Sequence, residues 1–259
     1  MTPTRSTQGT AWLGARLKAH WRFKLIAGAI NVIAFFIGYF LLLDFHLFPV
    51  REMPTTALDR LIAFQPGALP LYLSLYLYIP LAPWLLENKR DLNACCLALS
   101  GLCMVGLVIF LFWPTAIPRP DSAGYRPLIA IDGPGNACPS LHAAFAVFSA
   151  ICIDRLARRL GDRGLARSLS WLWCFGILYA TLATKQHVAV DMVAGIALGA
   201  AWAGLYLRFF PPWRESPGLT DTGAPAIGQT QDPNCRAGSE RVKKSDWPSV
   251  AALYERRSH

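Results

Sequence analysis

Six stretches of this chain contain no Asp, Glu, Lys or Arg: Leu25–Leu43, Leu61–Leu86, Leu92–Pro118, Gly133–Ile153, Ser168–Thr184 and Met192–Leu207. A helix needs about 20 predominantly apolar residues to cross the hydrocarbon core of a bilayer. Only helices and closed barrels satisfy their backbone groups there. Six such stretches, each near that length, predict an all-α fold: a six-span transmembrane helical bundle. The last two are slightly short, as expected if their outer ends are polar and frame a site. Charged residues make up 16% of the chain, well under the roughly 25% of soluble domains.

Charge placement gives the orientation. With both termini on the cytoplasmic side, the inner segments hold 20 of the 25 Lys and Arg residues. The outer loops hold the other five, Arg51, Arg60, Arg119, Arg126 and Lys185. This is the positive-inside pattern. Basic inner loops beside anionic headgroups account for the net charge of +9, so no nucleic-acid partner is needed. The expected organisation is a cytoplasmic tail over 1–21, a six-span domain over 22–208 and a disordered cytoplasmic tail over 209–259, broken by Pro211, Pro212, Pro217, Pro225, Pro233 and Pro248. The basic-then-apolar start has the outline of a signal peptide. Its 19-residue run, with no small-x-small site after Leu43, reads instead as a retained first span. The seven cysteines offer no disulfide framework, because only Cys138 reaches an outer loop. No CxxC pair or His-rich tract offers a metal site.

Chemistry concentrates at two histidines. His142 follows Cys138-Pro139-Ser140-Leu141 at the opening of the fourth apolar run, and His187 stands in Thr184-Lys185-Gln186-His187-Val188-Ala189-Val190-Asp191 at the opening of the sixth. Residues four apart share a helix face, so Asp191 can accept a hydrogen bond from one ring nitrogen of His187. That fixes the tautomer and leaves the other nitrogen as a base or nucleophile. A structural His–Asp brace fits the same spacing, but ionisable groups inside spans are usually functional. Pro139-Ser140 suits a helix start, whose free amides favour an anion. A histidine one turn in can protonate a leaving oxygen. Arg119 and Arg126, in the loop between the third and fourth spans, carry guanidinium forks that match phosphate oxygens. Lys185 adds a point charge that faces the phosphate or snorkels to the headgroups. All these groups fall on one side of the membrane.

Pro139-Ser140-Leu141-His142 and His187-x-x-x-Asp191 resemble the second and third motifs of the type 2 phosphatidic acid phosphatase superfamily. Arg119-x6-Arg126-Pro127 is similar to its first motif, Lys-x6-Arg-Pro, and Arg119-Pro120 is a competing Arg-Pro match. The resemblance implies a metal-independent lipid phosphatase with no cofactor. His187 would be the nucleophile that forms a phosphohistidine, Asp191 its orienting group and His142 the general acid. Ser140, Arg126 and Arg119 would hold phosphate oxygens. The chain departs from the pattern at Leu141, where the family usually has glycine. It departs again at Ala180 and Thr181, which replace the Ser-Arg that opens the third motif. Pro-Ser-Leu-His with Thr-Lys-Gln-His looks more like the inositol phosphorylceramide synthase branch, which leaves transfer of a headgroup to an alcohol open beside hydrolysis. The charge pattern puts this site on the outer, periplasmic or extracellular, face of a plasma (inner) membrane, and the resemblance implies a lipid phosphate as substrate. A non-catalytic lipid transporter on the same fold would need charged groups through the depth of the bundle, and Asp191 is the only one placed inside a span. A vanadate-dependent haloperoxidase fits a six-span chain less well.

Overall fold

The computed structural model describes residues 13–118 and 135–210, which are mostly helical. In chain order they form α1 (13–18), α2 (Trp21–Asp44), β1 (Arg51–Glu52), α3 (Ala57–Leu61), α4 (Leu69–Leu73), α5 (Leu75–Tyr78), α6 (Leu81–Trp84), α7 (Lys89–Phe112), β2 (Thr115–Ala116), α8 (Leu141–Arg159), α9 (Leu165–Ala183) and α10 (Ala189–Phe209). β1 and β2 pair in parallel, Arg51 with Thr115 and Glu52 with Ala116.

Four helices, α2, α7, α9 and α10, are long and apolar enough to cross a membrane. They coincide with the first, third, fifth and sixth charge-free stretches. The other two stretches take different forms. Leu61–Leu86 is not one helix but a 3-10 turn at Pro66–Ala68 followed by the short helices α4, α5 and α6. The cause lies in its prolines: Pro66, Pro70, Pro80 and Pro83 each remove an amide donor and crowd the preceding turn. The segment still packs inward through Tyr72, Leu75, Tyr78 and Ala82. The stretch Gly133–Ile153 yields a helix only from Leu141, after a turn with a cis Cys138–Pro139 peptide. This helix, α8, then runs on to Arg159, so its last turns carry charge.

α8 is the axis of the bundle. It contacts α9 and α10 most extensively, and also α5, α6 and α7. Thirteen of its nineteen residues are buried, which requires an apolar surface all round. Ala143, Ala144, Ala146 and Ala150 keep that surface slim. Small residues let helix backbones approach closely in a bilayer, and α10 answers in kind. A Cβ on Gly195 would lie 2.2 Å from the Ser140 carbonyl oxygen, and one on Gly199 2.3 Å from that of Ala144. At the far end of α8, Asp154 pairs with Arg158 and, across the turn, with Arg167 of α9, both at 2.7 Å. Asp162 accepts the amides of Gly164, Ala166 and Arg167, closing the start of α9.

α2 is peripheral. No residue of its most apolar stretch is buried, and Ile26, Ile30, Ile33 and Ile37 are each about 60% exposed, at 61%, 60%, 60% and 58%. Its start is pinned by Lys24, a buried ammonium that donates to the carbonyls of Arg16 and Trp84, both at 2.8 Å. Arg16 adds an ion pair to Glu87 at 3.0 Å. At the opposite end, Met53, Ile117, Ala137, Cys138 and Val188 form a small apolar cluster that gathers the loops.

Candidate active site

Ser140 organises the site. It is the N-cap of α8, its hydroxyl accepting the Ala143 amide at 3.3 Å. Its own amide donates to the Asp191 carbonyl at 3.0 Å, which ties α8 to the first turn of α10. This bond and the glycine contacts set the two histidines side by side, with ring centroids 5.7 Å apart. His187 Nδ1 lies 3.0 Å from Asp191 Oδ2. Asp191 is fully buried and His187 is 7% exposed, so the pair sits in low dielectric, where such a hydrogen bond is strong. Asp191 Oδ1 has no hydrogen-bond partner among the described residues. With Nδ1 facing the carboxylate, Nε2 is the ring nitrogen on the side of the imidazole away from Asp191.

His142 is held from the proline-broken segment. Tyr72 stacks on its ring at 4.2 Å and 20°, and the Tyr72 hydroxyl lies 3.3 Å from Nδ1. Tyr76 meets the same ring edge-on at 6.2 Å. As an imidazolium, His142 would donate from Nδ1 to the Tyr72 oxygen and carry on Nε2 the proton that a general acid delivers. Leu141, which stands where the family usually has glycine, is buried against α7: a Cβ on Gly106 would come within 2.5 Å of its side chain. The bulk added at one position fits the space left at the other.

The loop carrying His187 is fixed by contacts that the sequence did not suggest. Lys185, in the left-handed region at φ 54°, donates through its ammonium to the carbonyls of Asp59 and Ile62. The Asp59 carboxylate accepts the Ala189 amide at 2.8 Å, at the first residue of α10, and completes a capping box with Thr56. The Gln65 amide reaches the Ala183 carbonyl at 2.8 Å. Lys185 and Asp59 are therefore struts between α3 and the His187 loop. Thr181, at one of the positions of the missing Ser-Arg, is fully buried and bonded back to the Ile177 carbonyl at 2.8 Å. Asp59→Ala, which removes the acceptor of the Ala189 amide and half of the α3 capping box, is expected to cost about 0.5–2 kcal/mol, the range for a lost helix cap, read as a lowered unfolding midpoint in detergent.

The structure thus brings together His142, His187, Asp191 and Ser140. It turns the Lys185 ammonium onto loop carbonyls, and Arg119 and Arg126 lie outside the described residues. Tyr72 and Asp59 carry no recognisable local signal. Gly195 and Gly199 do, since Asp191, Gly195, Gly199 and Ala203 recur every fourth residue along one face of α10.

The model of the PAP2 superfamily matches residues 92–215. That segment runs from α7 through α10 and contains both histidine motifs and the His187–Asp191 pair. Over residues 92–215 the chain belongs to the PAP2 superfamily. No curated protein and no solved structure matches it. Membership brings phosphatase or related phosphotransferase chemistry, and with four membrane-length apolar helices it makes this PAP2 protein a multi-pass membrane protein. The match begins after α6, so Tyr72, Asp59 and α2 lie outside the matched segment.

Proposed function

We propose that this PAP2 protein is a metal-independent lipid phosphatase that hydrolyses a phosphate monoester or diphosphate of a lipid through a phosphohistidine. The observation that carries this reading is the buried His187–Asp191 pair at 3.0 Å with the His142 ring 5.7 Å away. Nε2 of His187 attacks phosphorus, the bond from phosphorus to the leaving oxygen breaks, and His142 gives that oxygen its proton. Water then attacks the phosphohistidine, His142 takes a proton back, and inorganic phosphate leaves. Arg119, Arg126, the Ser140 hydroxyl and the amides opening α8 hold the phosphate oxygens; Lys185 holds the loop. Such donors stabilise the charge that develops in the transition state.

In the bilayer we read six spans, with the proline-broken segment and α8 as the second and fourth, both termini cytoplasmic and the site on the outer face. The 20-to-5 distribution of basic residues supports that orientation. A second reading, transfer of a phosphoryl headgroup to an alcohol as in inositol phosphorylceramide synthases, is favoured by Leu141 and by the absence of the third-motif arginine. The test is purified protein in detergent with a chelator, offered a panel of lipid phosphates with and without polyol acceptors. Phosphate release that survives chelation is expected, a phosphodiester product would favour transfer, and loss of activity on chelation would remove the mechanism.

Tyr72→Phe keeps the ring on His142 and deletes the hydroxyl. One hydrogen bond is worth about 0.5–1.5 kcal/mol, so kcat on a lipid phosphate is expected to fall about two- to tenfold with KM little changed. A nitrophenyl phosphate, whose leaving group needs no proton, should be spared. An equal loss on both substrates would mean that Tyr72 does not act through His142.

A further inference from the structure

A cleft of about 420 Å³ opens between α2 and the rest of the bundle. This is within the roughly 300–1,000 Å³ of small-molecule sites. Its lining is almost wholly apolar, and its two ends differ. One end is His142 with Tyr76 and Phe36, whose rings lie 6.2 Å apart. The other end is Trp84 and Lys24, the ammonium being spent on the Arg16 and Trp84 carbonyls. Between them the wall is thin: Gly28 and Ala29 line the cleft, and a Cβ on Gly28 would meet nothing within 4 Å.

From Lys24 to Phe36 is twelve residues of helix, about 18 Å at 1.5 Å per residue. Half of the ~30 Å hydrocarbon core is about 15 Å. The cleft is therefore about as deep as one leaflet. An extended hydrocarbon chain matches that length and the apolar lining. Because the cleft begins at His142, the proposed proton donor, a chain lying in it is attached to whatever phosphate the histidines hold.

We propose that this cleft binds a hydrocarbon chain of a lipid phosphate and that the Lys24–Trp84 floor limits the chain's length. The proposal rests on the catalytic reading for the identity of the headgroup, but its walls come largely from α2, α5 and α6, outside the segment matched by the family. Burying such a chain is favourable, by contacts that bulk lipid would otherwise supply, only if the fit is close. A chain that overruns the floor should therefore bind less well.

The test uses the full chain in detergent with a long-chain alkyl phosphate carrying a photoreactive diazirine near its chain end. Label is expected on cleft residues such as Asn31, Cys96, Leu99 or Trp84. Gly28→Leu, which fills the cleft, should lower that label at least fivefold and lower the ratio of long-chain to short-chain alkyl phosphate turnover at least tenfold. Ile30→Ala, on the outward face of α2, should change neither. Ala29→Leu, from the same wall, is the second variant should Gly28→Leu fail to accumulate. Label on the Ile26–Ile33 face, undiminished by the filling substitutions, would overturn the proposal, as would an unchanged chain-length ratio. Labelling of the cleft in a protein that turns over no phosphate ester would sink the catalytic reading instead.

Discussion

Replacing His187 with glutamine is expected to cut turnover of a lipid phosphate by at least about a thousandfold, the scale of losing a nucleophile or its orienting partner. The variant protein should still accumulate in the membrane. Glutamine keeps a side-chain amide that can reach Asp191 but has no nucleophilic nitrogen, so the fold of the α9–α10 loop should persist while the chemistry stops. A rapid acid quench with labelled phosphate adds the decisive reading: the acid-labile phosphoprotein expected of the native chain should be missing in His187→Gln. Asp191→Asn should fall nearly as far, because an amide favours the wrong tautomer of the imidazole. Undiminished turnover in His187→Gln would end the mechanism.

The second large effect is one of packing. Gly195→Val would place a Cβ 2.2 Å from the Ser140 carbonyl oxygen. The neighbour is backbone, not a side chain that can swing aside. Overpacking typically costs about 1–3 kcal/mol and sometimes more, and here relief requires α8 and α10 to separate. Separation would break the Ser140–Asp191 backbone bond and spread the two histidine rings. Expected are a lower unfolding midpoint in detergent and a loss of turnover larger than the stability loss alone would produce. Gly204→Val on the same helix, where a Cβ meets nothing within 4 Å, is the matched control. If both variants behave alike, the close approach of α8 and α10 does not hold the site together.

Much of this site is legible in the sequence, because the groups that meet there obey local rules. His187 and Asp191 meet by helix periodicity alone, and Ser140 caps the helix that its position announces. The spans were legible where the chain could continue as a helix, as in α2, α7, α9 and α10. Residues 61–86 misled because absence of charge says nothing about amide donors, and four prolines decide the backbone there. Tyr72 and Asp59 were invisible for another reason. They reach His142 and Ala189 from 70 and 130 residues away in sequence, and only the tertiary path of the broken segment brings them back. The contacts of Lys185 with the Asp59 and Ile62 carbonyls were invisible for a similar reason, since those acceptors lie more than 120 residues away in sequence.

The Ser140–Asp191 tie also bears on how the protein is made. α8 leaves the ribosome well before α10, and until α10 docks, its N-terminal amide and its alanine face lack the surface they are shaped for. His187 and Asp191 arrive only with α10 and the loop before it. The pairing of the two histidine rings therefore forms only once α10 has docked on α8.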